Sequence, residues 1–300
     1  MIEKSKYSLA GQYPTASNQF GIKGIRQISA QEFARFDTAI EEIVDFTINH
    51  ALFEICETNY RKLIVNYERI KNEFKILHKM DETISDRILN ETNRLLMNYL
   101  SSFKTMIDHF QTRYTRLDRT GTQYLCAFKT TIEGVYDASF AYRFFSKLRN
   151  YVQHYGPPLG GIDAEVHESE GGEIVAQLFV YFDRDALLSK FNKWGKVKKE
   201  LEFQPNQIEI SFHLLAFHLK VQELFNTFSH NELEIVKDAR IYLSNLVSEV
   251  HSQIPDARPL LVDFSGLSAS GGRLQKLVIP IRELDLIRVV ENAIHQEHKK

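Results

Sequence analysis

Cysteine, sustained apolar runs and any excess of one charge are what this sequence has least of. Its 300 residues include two cysteines, Cys56 and Cys126. They lie far apart and form no C-x-x-C pair, which argues against a disulfide framework or a cysteine-held zinc site and fits a reducing compartment. No stretch approaches the roughly 18 apolar residues of a membrane span. The opening MIEKSKYSLAGQYPTASNQF contains no apolar core of signal-peptide length. The formal net charge is −2, so no chain-wide basic field advertises nucleic acid, although a local basic stripe is compatible with it. There is no internal repeat and no low-complexity block. These absences lead us to expect a soluble, cytoplasmic protein without a membrane partner.

What is present is ordinary globular composition, 43% hydrophobic and 25% charged, in a chain long enough for one or two domains with a full core. Residues 1–28 carry Gly11, Pro14, Gly21 and Gly24 among polar residues and read as a loosely structured lead-in. Ser29 begins SAQE, a capping-box pattern. Helical periodicity then runs through FARFDTAIEEIVDFTINHALFEI and again from about Asn59 to His78. A long helix is expected from about Ser85 to Leu117, broken by RLDRTGTQ. Residues 29–158 therefore read as an antiparallel helical bundle. From GPPLGGID onward the character changes. AEVHESEGGEIVAQLFVYFD reads as two strands about a Gly-Gly turn, DALLSKF as a short helix, and PLLVDF and LQKLVIPI as strands. Two helices are expected over about 207–228 and 231–253, and IRELDLIRVVENAIHQEH reads as a closing helix. The expected class is mainly α: a bundle followed by an α+β or helical region, 159–300, with a few short strands.

The stretch AYRFFSKLRNYVQHYGPP, residues 141–158, concentrates the chemistry. At about 100° per residue, Ala141, Phe144, Phe145, Leu148 and Val152 form one apolar stripe. Arg143, Lys147, Arg149, Asn150 and His154 fall off it. Gly156, Pro157 and Pro158 stop the helix close to His154. A histidine in a last turn feels the negative end of the helix dipole, which favours its protonated form and keeps it able to exchange a proton near neutrality. A proton-transfer group beside a guanidinium suits phosphodiester cleavage through the neighbouring 2′-hydroxyl, with no metal or other cofactor required. The same residues also suit the solvated end of a structural helix.

Arg149-Asn150-Tyr151-Val152-Gln153-His154 resembles the R-x4-6-H motif of HEPN domains, with Asn in the polar slot after the arginine. The resemblance implies a helical bundle and a metal-independent ribonuclease of toxin-like or antiviral type. It also implies a homodimer in which two motifs face each other across one composite site. Arg149, Asn150 and His154 would be catalytic, and Arg143, Lys147 and Tyr151 would contact RNA. The C-terminal region would bind a trigger or an antitoxin. The alternative is a HEPN-like module that only dimerises or binds a partner. The pattern is short, and the chain matches it again at Arg288-VVENAI-His295. There Val289 replaces the polar residue and the chain runs on past the histidine.

Weaker candidates remain. FSGLSASGGR, residues 264–273, follows a strand but lacks the Lys-Ser/Thr of a phosphate-binding loop, so a connection between strands is expected. His295 and His298 share a helical face without a third metal ligand nearby. NKWGKVKKELEF interleaves Trp194 and Phe203 with Lys193, Lys196, Lys198 and Lys199, and suits either an RNA backbone or a solvated basic surface. Asn90, Asn93, Met97, Ser101, Thr105 and Asp108 form a partly polar stripe on the long helix, from which Asp108 or Ser101 would support the Arg149/His154 cluster.

Overall fold

The computed structural model describes residues 7–15, 19–118, 123–168, 171–172, 174–263, 267–268, 271–272 and 275–297. In chain order the elements are β1 Tyr7–Pro14, β2 Phe20–Ile28, α1 Ala30–Leu77, α2 Glu82–Asp118, α3 Tyr124–Ala138 and α4 Phe140–Tyr155. They continue with β3 Gly161–Glu168, β4 Ile174–Asp183, α5 Arg184–Lys190, α6 Val197–Glu202, β5 Gln207–Glu209, α7 Ile210–Ile235 and α8 Lys237–Gln253. The last are β6 Arg258–Asp263, β7 Leu267–Ser268, β8 Gly271–Gly272, β9 Gln275–Val278 and α9 Ile281–Glu297. The protein is mainly α, with short antiparallel strands. No helix among the described residues is long and apolar enough to cross a membrane.

The chain forms two compact units, one of residues 1–50 and 229–300, the other of residues 51–228. The sequence division at 158/159 lies inside the second. Both α1 and α7 contribute to each unit.

The first unit is built on an antiparallel sheet of order β2-β1-β6-β9. Residues 7–14 and 20–28, expected to be a loose lead-in, are instead its first two strands, with Leu9 opposite both Arg26 and Leu261. Gly11, one of the glycines that read as chain breaks, has a packing role. A Cβ on Gly11 would stand 2.9 Å from the Ala257 Cβ and 3.0 Å from Val250, so only a bare backbone lets β1 pass there. One core joins Leu9 and Ile28 of the sheet to Phe36, Ile43 and Phe46 of α1, Leu243 and Leu246 of α8, and Ile287 of α9. The capping box forms as expected: Ser29 Oγ accepts from the Glu32 amide at 3.1 Å, and the Glu32 carboxylate accepts from the Ser29 amide at 3.3 Å. Residues 264–266, 269–270 and 273 lie outside the described residues. The strands flanking them, β6 and β9, pair antiparallel, so FSGLSASGGR connects two strands and is not a strand-to-helix turn.

The second unit contains the site. Its α1 is one helix of 48 residues rather than two, because no glycine or proline stands between Leu52 and Asn59 to end it. His78, at φ 48°, follows the last turn, and Asp81 opens α2 by accepting from the Ile84 amide at 2.9 Å. α1 and α2 run antiparallel, with Asn59 beside Ser102 and Asn66 beside Thr92. α7 lies antiparallel to α1, with Phe53 stacked on Phe225 and Tyr60 on His218. β3 and β4 pair from Gly161/Tyr181 to Glu168/Ile174, and β5 adds to β4. Phe145, Phe182 and Phe217 interlock at the centre with ring centroids 4.9 to 6.0 Å apart, a range favourable for aromatic pairs.

Candidate functional site

α4 is set by its ends and its apolar stripe. Ser139 caps it by accepting from the Tyr142 amide at 3.2 Å. Ala141, Phe144, Phe145 and Leu148 are buried as the periodicity requires. The helix stops at Tyr155, where Gly156 takes φ 108° and Pro157 follows. Asn93, from the polar stripe of α2, holds the turn beyond: its Oδ1 accepts from the Leu159 amide at 3.2 Å. Asp108 is paired with Lys104 instead, and Ser101 is exposed.

Lys147, Asn150 and His154 stand at i, i+3 and i+7, hence on one face. His154 is exposed and Asn150 half-buried. Arg149 lies about 100–160° around the helix from these three and is half-buried. Its Nη1 donates to Gln153 Oε1 and to Asn150 Oδ1, the latter at 3.4 Å, while its Nε is buried with no hydrogen-bond partner. Among the described residues no carboxylate pairs with Arg149 or His154. The last turn thus presents a fixed guanidinium and a free imidazole, groups able to neutralise a phosphate and to move a proton. Gln153 was not singled out in the sequence, although its i+4 spacing from Arg149 is the signal for it.

The three residues expected at RNA are placed differently from one another. Arg143 is tied into the fold: its guanidinium binds the Glu200 carboxylate at two points and donates to the Tyr136 and Asp137 carbonyls in the last turn of α3. Glu200 holds the charge of Arg143 on firmly, raising its pKa. Tyr151 is 2% exposed, stacked between Tyr155 and Trp194 and edge-on to Phe191, so its ring faces have protein neighbours. It lies about 60° from the centre of the apolar stripe, near enough to join the core. Lys147 alone is half-buried without an ion pair among the described residues.

In NKWGKVKKELEF the lysines are exposed, but Trp194 is fully buried and donates to the Leu187 carbonyl at 3.2 Å. A buried indole cannot stack on a base, whereas Phe203 is 90% exposed. His298 lies outside the described residues. The His295 ring hydrogen-bonds the Glu291 carbonyl, and the described residues contain no group of three metal-ligating side chains. Arg288 pairs with Asp285, so the second R-x6-H match has its arginine neutralised.

A second polar cluster was not anticipated. His218 of α7 stacks on Tyr60 at 3.4 Å, its Nδ1 lies 2.9 Å from the Tyr99 hydroxyl, and its Nε2 lies 3.3 Å from Glu57 Oε2. His218 Nε2 and Glu57 Oε2 are both buried and neither forms a hydrogen bond. Burial pushes the imidazole down to about 4 and the Glu57 carboxyl up. Burial also raises Tyr99. Glu57, Tyr99 and His218 come from three different helices, α1, α2 and α7, so no local spacing marks the cluster.

No family model matches this chain, and neither a curated protein nor a solved structure is significantly similar to it.

Proposed function

We propose that the protein is a metal-independent endoribonuclease of HEPN type, acting as a homodimer on RNA. What supports this reading is the last stretch of α4: an exposed His154 five residues, about 1.4 turns, beyond an Arg149 held by Gln153 and Asn150, with no carboxylate paired to either among the described residues. In the reaction the 2′-oxygen attacks the adjacent phosphorus and the bond to the 5′-oxygen breaks. One imidazole takes the 2′-hydroxyl proton and a second, from the other copy, supplies a proton to the leaving oxygen. Arg149 neutralises the phosphate oxygens as charge develops. The products are a 2′,3′-cyclic phosphate and a 5′-hydroxyl. A second copy also supplies what an exposed face lacks, a cover that excludes water.

A non-catalytic helical module is the second reading, and one observation favours it. Arg143 and Tyr151, two of the groups expected at RNA, are engaged within the protein by Glu200 and Trp194. The test is cleavage of end-labelled RNA in EDTA by wild type, His154→Ala and Arg149→Ala. Cyclic-phosphate ends that vanish in both variants establish the nuclease. Cleavage that persists in His154→Ala removes the site, and an inert wild type favours the module.

A further inference from the structure

The groove between α1 and α2 is rich in cations for a chain of net charge −2. Its walls carry Arg61, Lys62 and Arg69 from α1 and Arg94 from α2, against one carboxylate, Glu91; Val65 and Leu95 also line it, and its volume is about 440 Å³. The spacing produces this grouping. Residues 61, 62, 65 and 69 recur at three- and four-residue steps along one face of α1, and 91, 94 and 95 do the same on α2. Arg61 and Lys62 are exposed and form no ion pair among the described residues, although the charge of Arg61 acts on Glu57. Arg69 is braced by Asn66 Oδ1 at 3.0 Å and by Glu73 at 2.6 Å. Arg94 donates to Glu91 through Nε at 2.8 Å and Nη2 at 2.6 Å.

We propose that this groove binds a nucleotide, with its phosphates on Arg61, Lys62 and Arg69 and its base over Val65, Leu95 and the plane of Arg94. The three α1 cations reach an anion from one side, and guanidinium forks match phosphate oxygens. A bare inorganic anion would leave the apolar floor wet, whereas a planar base covers it and can stack on the Arg94 guanidinium. The volume falls within the range of small-ligand sites. The pairs Arg94–Glu91 and Arg69–Glu73 are exposed, contribute little to stability, and leave their outer N–H groups available. The proposal does not rest on the nuclease reading, since none of its residues belongs to α4. The same chemistry is offered by a free nucleotide and by a nucleotide within a single strand.

The experiment is fluorescence anisotropy with two probes, a labelled adenosine triphosphate and a labelled six-residue oligoribonucleotide, on the full chain in EDTA. His154→Ala is used throughout so that the strand stays intact. Binding of the triphosphate assigns a free nucleotide, and binding of the oligonucleotide alone assigns a strand. In either case Arg61→Ala/Lys62→Ala weakens it at least tenfold. The fold of that variant is checked by the emission of Trp194, the single tryptophan. Val65→Asn weakens binding without changing the charge of the groove. The proposal is overturned if neither probe binds at millimolar concentration or if the double variant binds as wild type does. Equal competition by inorganic triphosphate and by adenosine triphosphate would also overturn it, by reducing the groove to an anion site.

Discussion

Acid should destabilise the second unit through one residue, His218. Its ring is 3% exposed and burial lowers its pKa from 6.5 to about 4, a fall of about 2.5 pH units. At about 1.4 kcal/mol per unit, a neutral, buried His218 makes unfolding harder by about 3 kcal/mol at pH 7 than at a pH below both values. The sign follows from linkage: the unfolded chain binds the proton near pH 6.5 and the folded one only near 4. The contribution is therefore complete above pH 6.5 and is lost as pH falls toward 4. Glu57 acts in the opposite sense. Its carboxyl is raised by burial, so its contribution is present at low pH and is lost as pH rises through the folded value, which trims the net change. The assay is urea unfolding at pH 7.5, 6, 5 and 4.5, followed by the fluorescence of Trp194, which is fully buried within this unit. His218→Gln keeps an acceptor for the Tyr99 hydroxyl but does not titrate. Wild type should lose between 1 and 3 kcal/mol (roughly) more than His218→Gln over this range. Equal losses would refute the reasoning, because they would mean that His218 is as easily protonated folded as unfolded.

Three other substitutions probe the assignments above. Arg143→Ala strands the Glu200 carboxylate and the α3 carbonyls, and should cost about 1–3 kcal/mol in urea unfolding; no loss would mean that Arg143 is not structural. Tyr151→Phe keeps the ring against Trp194 and should leave RNA affinity within a factor of about two, while Tyr151→Ala should lower stability by about 3–5 kcal/mol; a tenfold loss of RNA binding in Tyr151→Phe would return that residue to the interface. Ser29→Ala removes the cap of α1 and should cost about 1 kcal/mol, read as faster hydrogen exchange in the first turns of α1; unchanged protection there would mean that the capping box contributes nothing.

What the sequence made legible was short-range. Ser29 and Glu32 announce their reciprocal bonds because both partners lie within one turn, and Gly156 and Pro157 end α4 by backbone chemistry alone. The stripe through Phe144 and Leu148 is equally local. Where partners came from elsewhere in the chain, the same local rules misled. Gly11 reads as a break until Val250 and Ala257 pass against it. Arg143 reads as a free cation until Glu200, 57 residues on, closes over it. His218 carries no signal, because Glu57 and Tyr99 reach it from separate helices. The candidate site divides along this line. Arg149 and Gln153 meet within one helix and could be paired from spacing alone, whereas Tyr151 is withdrawn by Trp194, a contact no spacing encodes. A helix end read from sequence therefore overstates its free polar groups, since distant residues can engage them but cannot free one already held. Among the described residues, His154 and Lys147 are the charged or titratable side chains of the cluster that stay without an ion pair or hydrogen bond. A ligand at this face meets those two side chains first, and Arg149 after them.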